Sequence, residues 1–277
     1  MMSAKILAKL WHWFDAQSRE DRLVLLGCIL SAIGTTFYAG TQFQRSNGGY
    51  SPVKVADLLQ TLGDDSQPDA LRTAALTRLI SEYGWTDLRN RNLSSLTLPS
   101  IHWDGVELTD AKLIDANVNG LILNDVLLVR ADLTEAEAVK TNFNTSTLNA
   151  IILRDADCRE AQFVARDLRA GNLTSANCTH ANFSHATLHG VNCRNAIFHD
   201  AICRGTNFNS KDESDGAPDI YPTDISQAVF TSAELQGADL RNTKGIDTAT
   251  FHGAEYNDDT MWPDGFDPTK AGAIKAE

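Results

Sequence analysis

The chain has 277 residues, with 36 acidic side chains against 24 basic ones, a formal charge of −12 and five cysteines. So few cysteines in this length exclude a disulfide framework, and the absence of a basic stripe excludes direct nucleic-acid binding. The acidity is uneven: residues 1–84 carry 8 acids and 8 bases, residues 85–208 carry 14 and 11, and residues 209–277 carry 14 and 5.

Residues 1–22 form an amphipathic segment, with Leu7, Leu10, Trp11 and Phe14 on one helical face and Lys5, Lys9, Trp11 and Trp13 suited to a membrane interface. The charge-free stretch Leu23 to Gln44 is long enough to cross a bilayer as a transmembrane helix. Within it Gly27, Ser31 and Thr35 recur every four residues, a spacing that lets helices pack closely and marks a face for a homodimer. Leu25-Leu26-Gly27-Cys28 resembles a lipoprotein cleavage box, but the apolar run continues past Cys28, so neither lipidation nor cleavage is expected. Lys5, Lys9, Arg19 and Arg22 precede the span, and Arg45 and Lys54 follow it. That asymmetry predicts a cytoplasmic N-terminus, with the rest of the chain periplasmic or lumenal.

Residues 45–51 read as a linker and residues 52–84 as a helical cap. Pro52 opens a helix through Leu62, since proline suits the first helical position. A second helix is expected from Asp69 to Tyr83, with Leu71, Ala75, Leu76, Leu79 and Ile80 on its apolar face and Gly84 at its C-cap.

From Leu88 to Phe208 an apolar residue falls on every fifth position without exception, among them Leu113, Leu133, Phe143, Phe163, Phe183, Leu188, Phe198 and Phe208. Two residues before each such centre the side chain is usually small (Ala111, Ala131, Ala181), and a polar residue such as Asn117, Asp132 or Asn182 stands between. A helix turns about 100° per residue, so positions five apart build no stripe on it. A flat strand sends positions five apart to opposite faces. A short extended segment that turns a corner every five residues satisfies the pattern, pointing the centre and the residue two before it inward. Four corners close a square of about 20 residues that climbs one strand spacing, about 4.8 Å. Residues 20 apart should then stack, placing Phe143, Phe163 and Phe183 in one ladder under Cys203, and Cys158 and Cys178 under Phe198.

Ala131-Asp132-Leu133-Thr134-Glu135 and Ala181-Asn182-Phe183-Ser184-His185 resemble the repeats of the pentapeptide repeat family. The resemblance implies an all-β solenoid, a right-handed quadrilateral β-helix, over residues 85–208. An acidic insert, 209–224, interrupts the rhythm with two prolines; it reads as a solvated loop, the alternative being a partner contact. A second block, 225–256, resumes it with Ile225, Phe230, Leu235 and Leu240, then slips by one residue to Ile246, Phe251 and Tyr256. The tail, 257–277, contains Thr260-Met-Trp262-Pro-Asp-Gly-Phe266-Asp-Pro268, which with Tyr256 resembles a tail of bacterial, often cyanobacterial, pentapeptide repeat proteins and should cap the open end.

No catalytic constellation is legible, so the chain is read as non-enzymatic and without cofactors. His180, His185, His189 and His199 lie near Cys178, Cys193 and Asp200, but inward cysteines and outward histidines would be separated by the coil wall, which disfavours a metal site. Cys158 and Cys178 would stack closely enough for a bridge, with free buried thiols the default. Arg166 takes an inward slot that wants alanine; its stem should leave through a local bulge, the alternative being a functional kink. Ile122, Leu127, Ile152, Ile197 and Ile202 stand at outward positions, either covered by the terminal helices or forming an apolar docking patch. These features describe a membrane-anchored interaction module for an unidentified protein partner. The resemblance implies a second reading, since some members of the family mimic duplex DNA and bind DNA gyrase or related topoisomerases. A metal-binding protein is a third.

Overall fold

The computed structural model of the chain describes residues 52–209 and 222–276. The amphipathic segment 1–22, the apolar stretch 23–44 with its Gly27, Ser31 and Thr35 face, the linker 45–51 and positions 210–221 of the insert lie outside the described residues.

The coil closes every 20 residues. Bridges join Asp87 to Glu107, Asn92 to Lys112 and Thr97 to Asn117, all parallel, and the same step repeats up the four walls. Nearly every centre donates its backbone N–H to the wall above, as Leu93 does to Lys112 O at 2.7 Å and Leu133 to Ile152 O at 2.7 Å; Trp103 and Leu148 do not. The corner is a β-turn closed between the centre carbonyl and the N–H three residues on (Ala136 N to Leu133 O, 3.1 Å). Its third residue is left-handed, with φ between 51° and 61° at non-glycine positions. The polar residue before each centre has a local duty that explains its chemistry: its side-chain oxygen accepts the N–H two residues on, as from Thr134 to Asp132 at 3.0 Å and from Ser184 to Asn182 at 2.9 Å. Between Asn90 and Gly205 only Ser100 and Thr145 lack the left-handed corner. Thr145 is β-branched, which disfavours that region.

All eight of the named centres are at most 1 % exposed. Phe143, Phe163 and Phe183 stack at 4.9 and 4.6 Å, and Phe198, Phe230 and Phe251 stack at 4.8 and 5.2 Å. These separations match the strand spacing of about 4.8 Å, so ring stacking and wall hydrogen bonding share one repeat. The two ladders meet edge-on at Phe183 and Phe198, 5.5 Å apart. Where the small inward slot holds a hydroxyl, it reaches the centre carbonyl of the coil below: Thr141 to Val118 O at 2.8 Å, Ser146 to Leu123 O at 2.6 Å, Thr206 to Phe183 O at 2.8 Å.

The first helix, α1 (Pro52–Gly63), buries Val55 and Leu62, and the second, α2 (Asp69–Ser81), buries Ala75, Leu76, Leu79 and Ile80. Gly84 closes α2, with its N–H on Ile80 O at 3.0 Å and that of Trp85 on Leu79 O at 2.9 Å. Leu71, expected on the apolar face, is instead 51 % exposed, and Arg72 takes the inward place at 4 %. The reason is the lower edge of the coil, whose wall carbonyls have no coil beneath them to bond. Trp85 Nε1 caps Asp87 O at 2.7 Å, Arg72 Nη2 caps Asn92 O at 2.8 Å, and Thr73 Oγ1 reaches Thr97 O at 3.4 Å. The helices therefore supply polar caps as well as an apolar lid.

Across the insert the step between walls lengthens: Asn192 pairs with Asp224, Ile197 with Val229 and Asn207 with Asp239. Three residues assigned from the sequence to the insert stand in the walls. Asn209 is buried, Thr223 fills an inward slot with its hydroxyl on Leu188 O at 2.9 Å, and Asp224 accepts the N–H of Ser226. The slip into the last repeats is taken up by a 3₁₀ turn, Ile246–Thr248, which follows Gly245 at φ 83°. The tail returns as β2 (Ile274–Lys275), parallel to β1 (Glu255–Tyr256), over aromatic packing of Phe251, Tyr256, Trp262 and Phe266.

Candidate functional site

The filled coil leaves function to its outer walls, its corners and its ends. On the walls, the polar position before a centre often pairs with arginine at the position after it. Arg159 and Asp157 approach to 2.6 Å, Arg169 and Asp167 to 2.9 Å, and Arg241 and Asp239 to 2.8 Å. Arg130 forks onto Asp110 one coil below, both contacts at 2.7 Å, and this hydrogen bonding holds the Asp110 carboxyl below its usual range. All of these side chains but Asp239, which is buried, are partly or well exposed, and the exposed pairs fix corner side chains more than they stabilise the fold.

The five outward aliphatic residues form no common patch, because the 20-residue step assigns Ile122 and Ile202 to one wall and Leu127, Ile152 and Ile197 to the other three. Ile122 is 58 % exposed, Leu127 39 % and Ile197 37 %. The described helices do not cover them, since α1 and α2 are used in closing the first coil. Single exposed aliphatics of this kind are ordinary.

Arg166 does open the wall. The bridge expected between Thr147 and Asp167 is missing from an otherwise regular ladder. The guanidinium occupies the gap, with Nε on Val164 O at 3.1 Å and Nη1 on Ser146 O at 3.4 Å. A side chain too long for the slot thus displaces two backbone bonds, Leu148 N to Asp167 O and Asp167 N to Ser146 O, and serves the Ser146 carbonyl itself.

Cys158, Cys178, Cys193 and Cys203 are free, buried thiols. A hydrogen bond with Cys158, together with burial, pushes the Cys178 thiol well up, and burial does the same for Cys193 and Cys203. The histidines face outward, on the far side of the wall. At one corner His199 Nε2 and His180 Nδ1 lie 3.1 and 3.8 Å from the same Asp200 oxygen, while His199 Nδ1 is 3.2 Å from Thr231 O. His185 stands elsewhere, beneath Gly205.

The sequence reading missed a pocket of about 460 Å³ at the C-terminal end, between the 3₁₀ turn and the tail. Ile246 and Phe266 line it together with Asp247, Asp264, Asp267 and Lys270. Asp267 is fully engaged: it accepts from Thr269 Oγ1 at 2.6 Å, Thr269 N at 3.1 Å and Lys270 N at 3.3 Å, and pairs with Lys270 Nζ at 3.2 Å. The Thr269 hydroxyl, followed by Lys270, pulls its carboxyl down to about 2. Asp247 and Asp264 have no such partners among the described residues. The sequence signal was the Pro263-Asp-Gly-Phe-Asp-Pro268 run, but only folding brings Asp247 alongside it.

A profile of the pentapeptide repeats family matches this chain in eight copies, over residues 111–149, 151–189, 176–210 and 223–244. No curated protein matches. Among solved structures, HetL, a pentapeptide repeat protein involved in heterocyst differentiation regulation from the cyanobacterium Nostoc sp. strain PCC 7120, is 20 % identical with a TM-score of 0.28, over 73 % of this chain and 91 % of its own. Full-length QnrB1, a plasmid-mediated fluoroquinolone resistance protein, is 10 % identical with a TM-score of 0.30, over 69 % and 91 %. A pentapeptide repeat protein from the Arabidopsis thaliana thylakoid lumen is 27 % identical with a TM-score of 0.19, over 48 % and 73 %. The five-residue register, the square coils stacked 20 residues apart and the matching profile together show that residues 111–210 and 223–244 are built of pentapeptide repeats.

Proposed function

We propose that the chain is a non-enzymatic interaction scaffold, held at a membrane by the stretch 23–44 and displaying its coil in the periplasm or a lumen. The observation that carries the scaffold reading is the filled interior: the inward centres are occupied by buried side chains, and outward positions are fixed at corners by Asn and Asp bonds. Such a body offers preorganised walls for binding, which lowers the ordering cost of association. The anchor rests on the sequence alone. In-cell crosslinking from photoreactive residues placed at outward positions such as Thr147 and Thr187 tests the scaffold. One recurrent adduct supports it, and none from any wall would sink it. Release of the full chain by alkaline carbonate would remove the anchor. Protease cleavage within 210–221 in intact spheroplasts supports the orientation, and cleavage only after permeabilisation reverses it.

The acidic surplus of residues 209–277, 14 acids against 5 bases, favours a second reading as a DNA-mimicking binder of a topoisomerase. The body, residues 85–208, is close to balanced, with 14 acids and 11 bases. A supercoiling assay with purified gyrase showing neither inhibition nor protection from fluoroquinolone would end that reading.

A further inference from the structure

We infer that the pocket at the C-terminal end of the coil receives a basic side chain, lysine or arginine, from a partner polypeptide. The inference rests on the scaffold reading and names a contact within it. Two features of the pocket converge. Its apolar lining, Ile246 and the half-buried ring of Phe266, suits the aliphatic stem of a long basic side chain. Its charge is uncompensated: Lys270 is committed to Asp267, whereas Asp247 and Asp264 are exposed and carry no ion pair among the described residues.

The frame is also set in advance. Gly245 at φ 83° fixes the 3₁₀ turn that bears Asp247. Asp267 pins the turn through Thr269 and Lys270, and Phe266 is held against Trp262 and Phe251 at 5.3 and 5.6 Å. A carboxylate or phosphate ligand would meet two unpaired aspartates and is excluded by repulsion. The acidic C-terminal region extends the attraction to basic partners at a distance and makes it sensitive to salt.

The test is titration of the full-length protein with the tripeptides tri-lysine and tri-glutamate, followed through the Trp262 indole N–H by NMR. Tri-lysine should give a saturable shift that weakens at least tenfold in Asp247→Asn/Asp264→Asn and is unchanged in Asp125→Asn, a corner aspartate outside the pocket. Equal response to tri-glutamate, equal loss in Asp125→Asn, or no saturation would overturn the inference. So would displacement of tri-lysine by millimolar calcium with saturating calcium shifts of its own, which would make the site one for a bare cation. In cells, a photoreactive residue at position 264 should crosslink to the same partner as the walls. Wall adducts without a rim adduct would overturn the pocket and leave the scaffold standing. Absence of both would remove the scaffold as well.

Discussion

Arg72 Nη2 lies 2.8 Å from the carbonyl oxygen of Asn92, and through that bond a helix finishes the hydrogen bonding of a coil. The same guanidinium serves Leu62 O at 3.2 Å, Asp65 at 3.1 Å and Asp69 at 3.5 Å, with the arginine 4 % exposed. Its removal strands acceptors from α1, the connecting turn and the first coil together. Arg72→Leu should cost about 3 kcal/mol, because the Leu62 and Asn92 carbonyls lose their donor, whereas the exposed Asp65 and Asp69 carboxylates turn to water. Arg72→Lys keeps the charge, serves fewer acceptors and should fall between. Urea unfolding of the full chain reads both, and a loss under about 0.5 kcal/mol for Arg72→Leu would refute the keystone role.

Two glycines with similar backbones should behave differently. Gly120 has φ 66° and nothing within 4 Å of the place a Cβ would take, so Gly120→Ala faces only the left-handed penalty, about 1 kcal/mol. At Gly245, φ 83°, the new Cβ would lie 2.1 Å from Ser226 Oγ and 2.6 Å from Ser226 Cα. Ser226 cannot withdraw, because its N–H and hydroxyl are both held by Asp224. Gly245→Ala should lose several times as much as Gly120→Ala. Equal thermal midpoints for the two variants would show that the last coil yields freely.

The thiols give a reporter of coil integrity. Cys158, Cys178, Cys193 and Cys203 are buried with raised pKa values, so they present neither access nor thiolate to a disulfide reagent. All four should remain unmodified by a coloured disulfide reagent at pH 8 and react together on unfolding. Stepwise modification under native conditions would reveal local opening, with the missing bridge between Thr147 and Asp167 the first place to look.

The coil was legible because its period is incompatible with a helix or a flat strand, so the five-residue rhythm fixed both the inward positions and the stacking of Phe143, Phe163 and Phe183. What escaped was set by backbone groups that a residue pattern does not display. Leu71 and Arg72 exchange roles because the first coil leaves carbonyls that only a long donor can reach. Thr223 and Asp224 belong to the coil because a hydroxyl and a carboxylate can do there what alanine and asparagine do elsewhere. The pocket was hidden for a related reason. Asp247 and Phe266 meet across two register slips, at bridges joining Val229 to Thr250 and Asp239 to Met261, of which the residue pattern displays only the first.

Acid should act on the cap through Asp267. Its carboxyl is lowered to about 2 by the Thr269 hydroxyl and by Lys270, against an unfolded value of about 3.9. A depressed folded pKa contributes stability that is fully present above the unfolded value and disappears as pH falls through the folded one. The advantage of the parent protein over Asp267→Asn should therefore be constant above about pH 5 and shrink between about pH 4 and pH 2. Asp110 and Asp157, lowered by Arg130 and Arg159, titrate in the same direction and stay common to both proteins, so the difference isolates the cap. Thermal midpoints of the two proteins across that range provide the measurement. A difference that widens on acidification would mean that Asp267 is held against, not by, its neighbours in the folded cap.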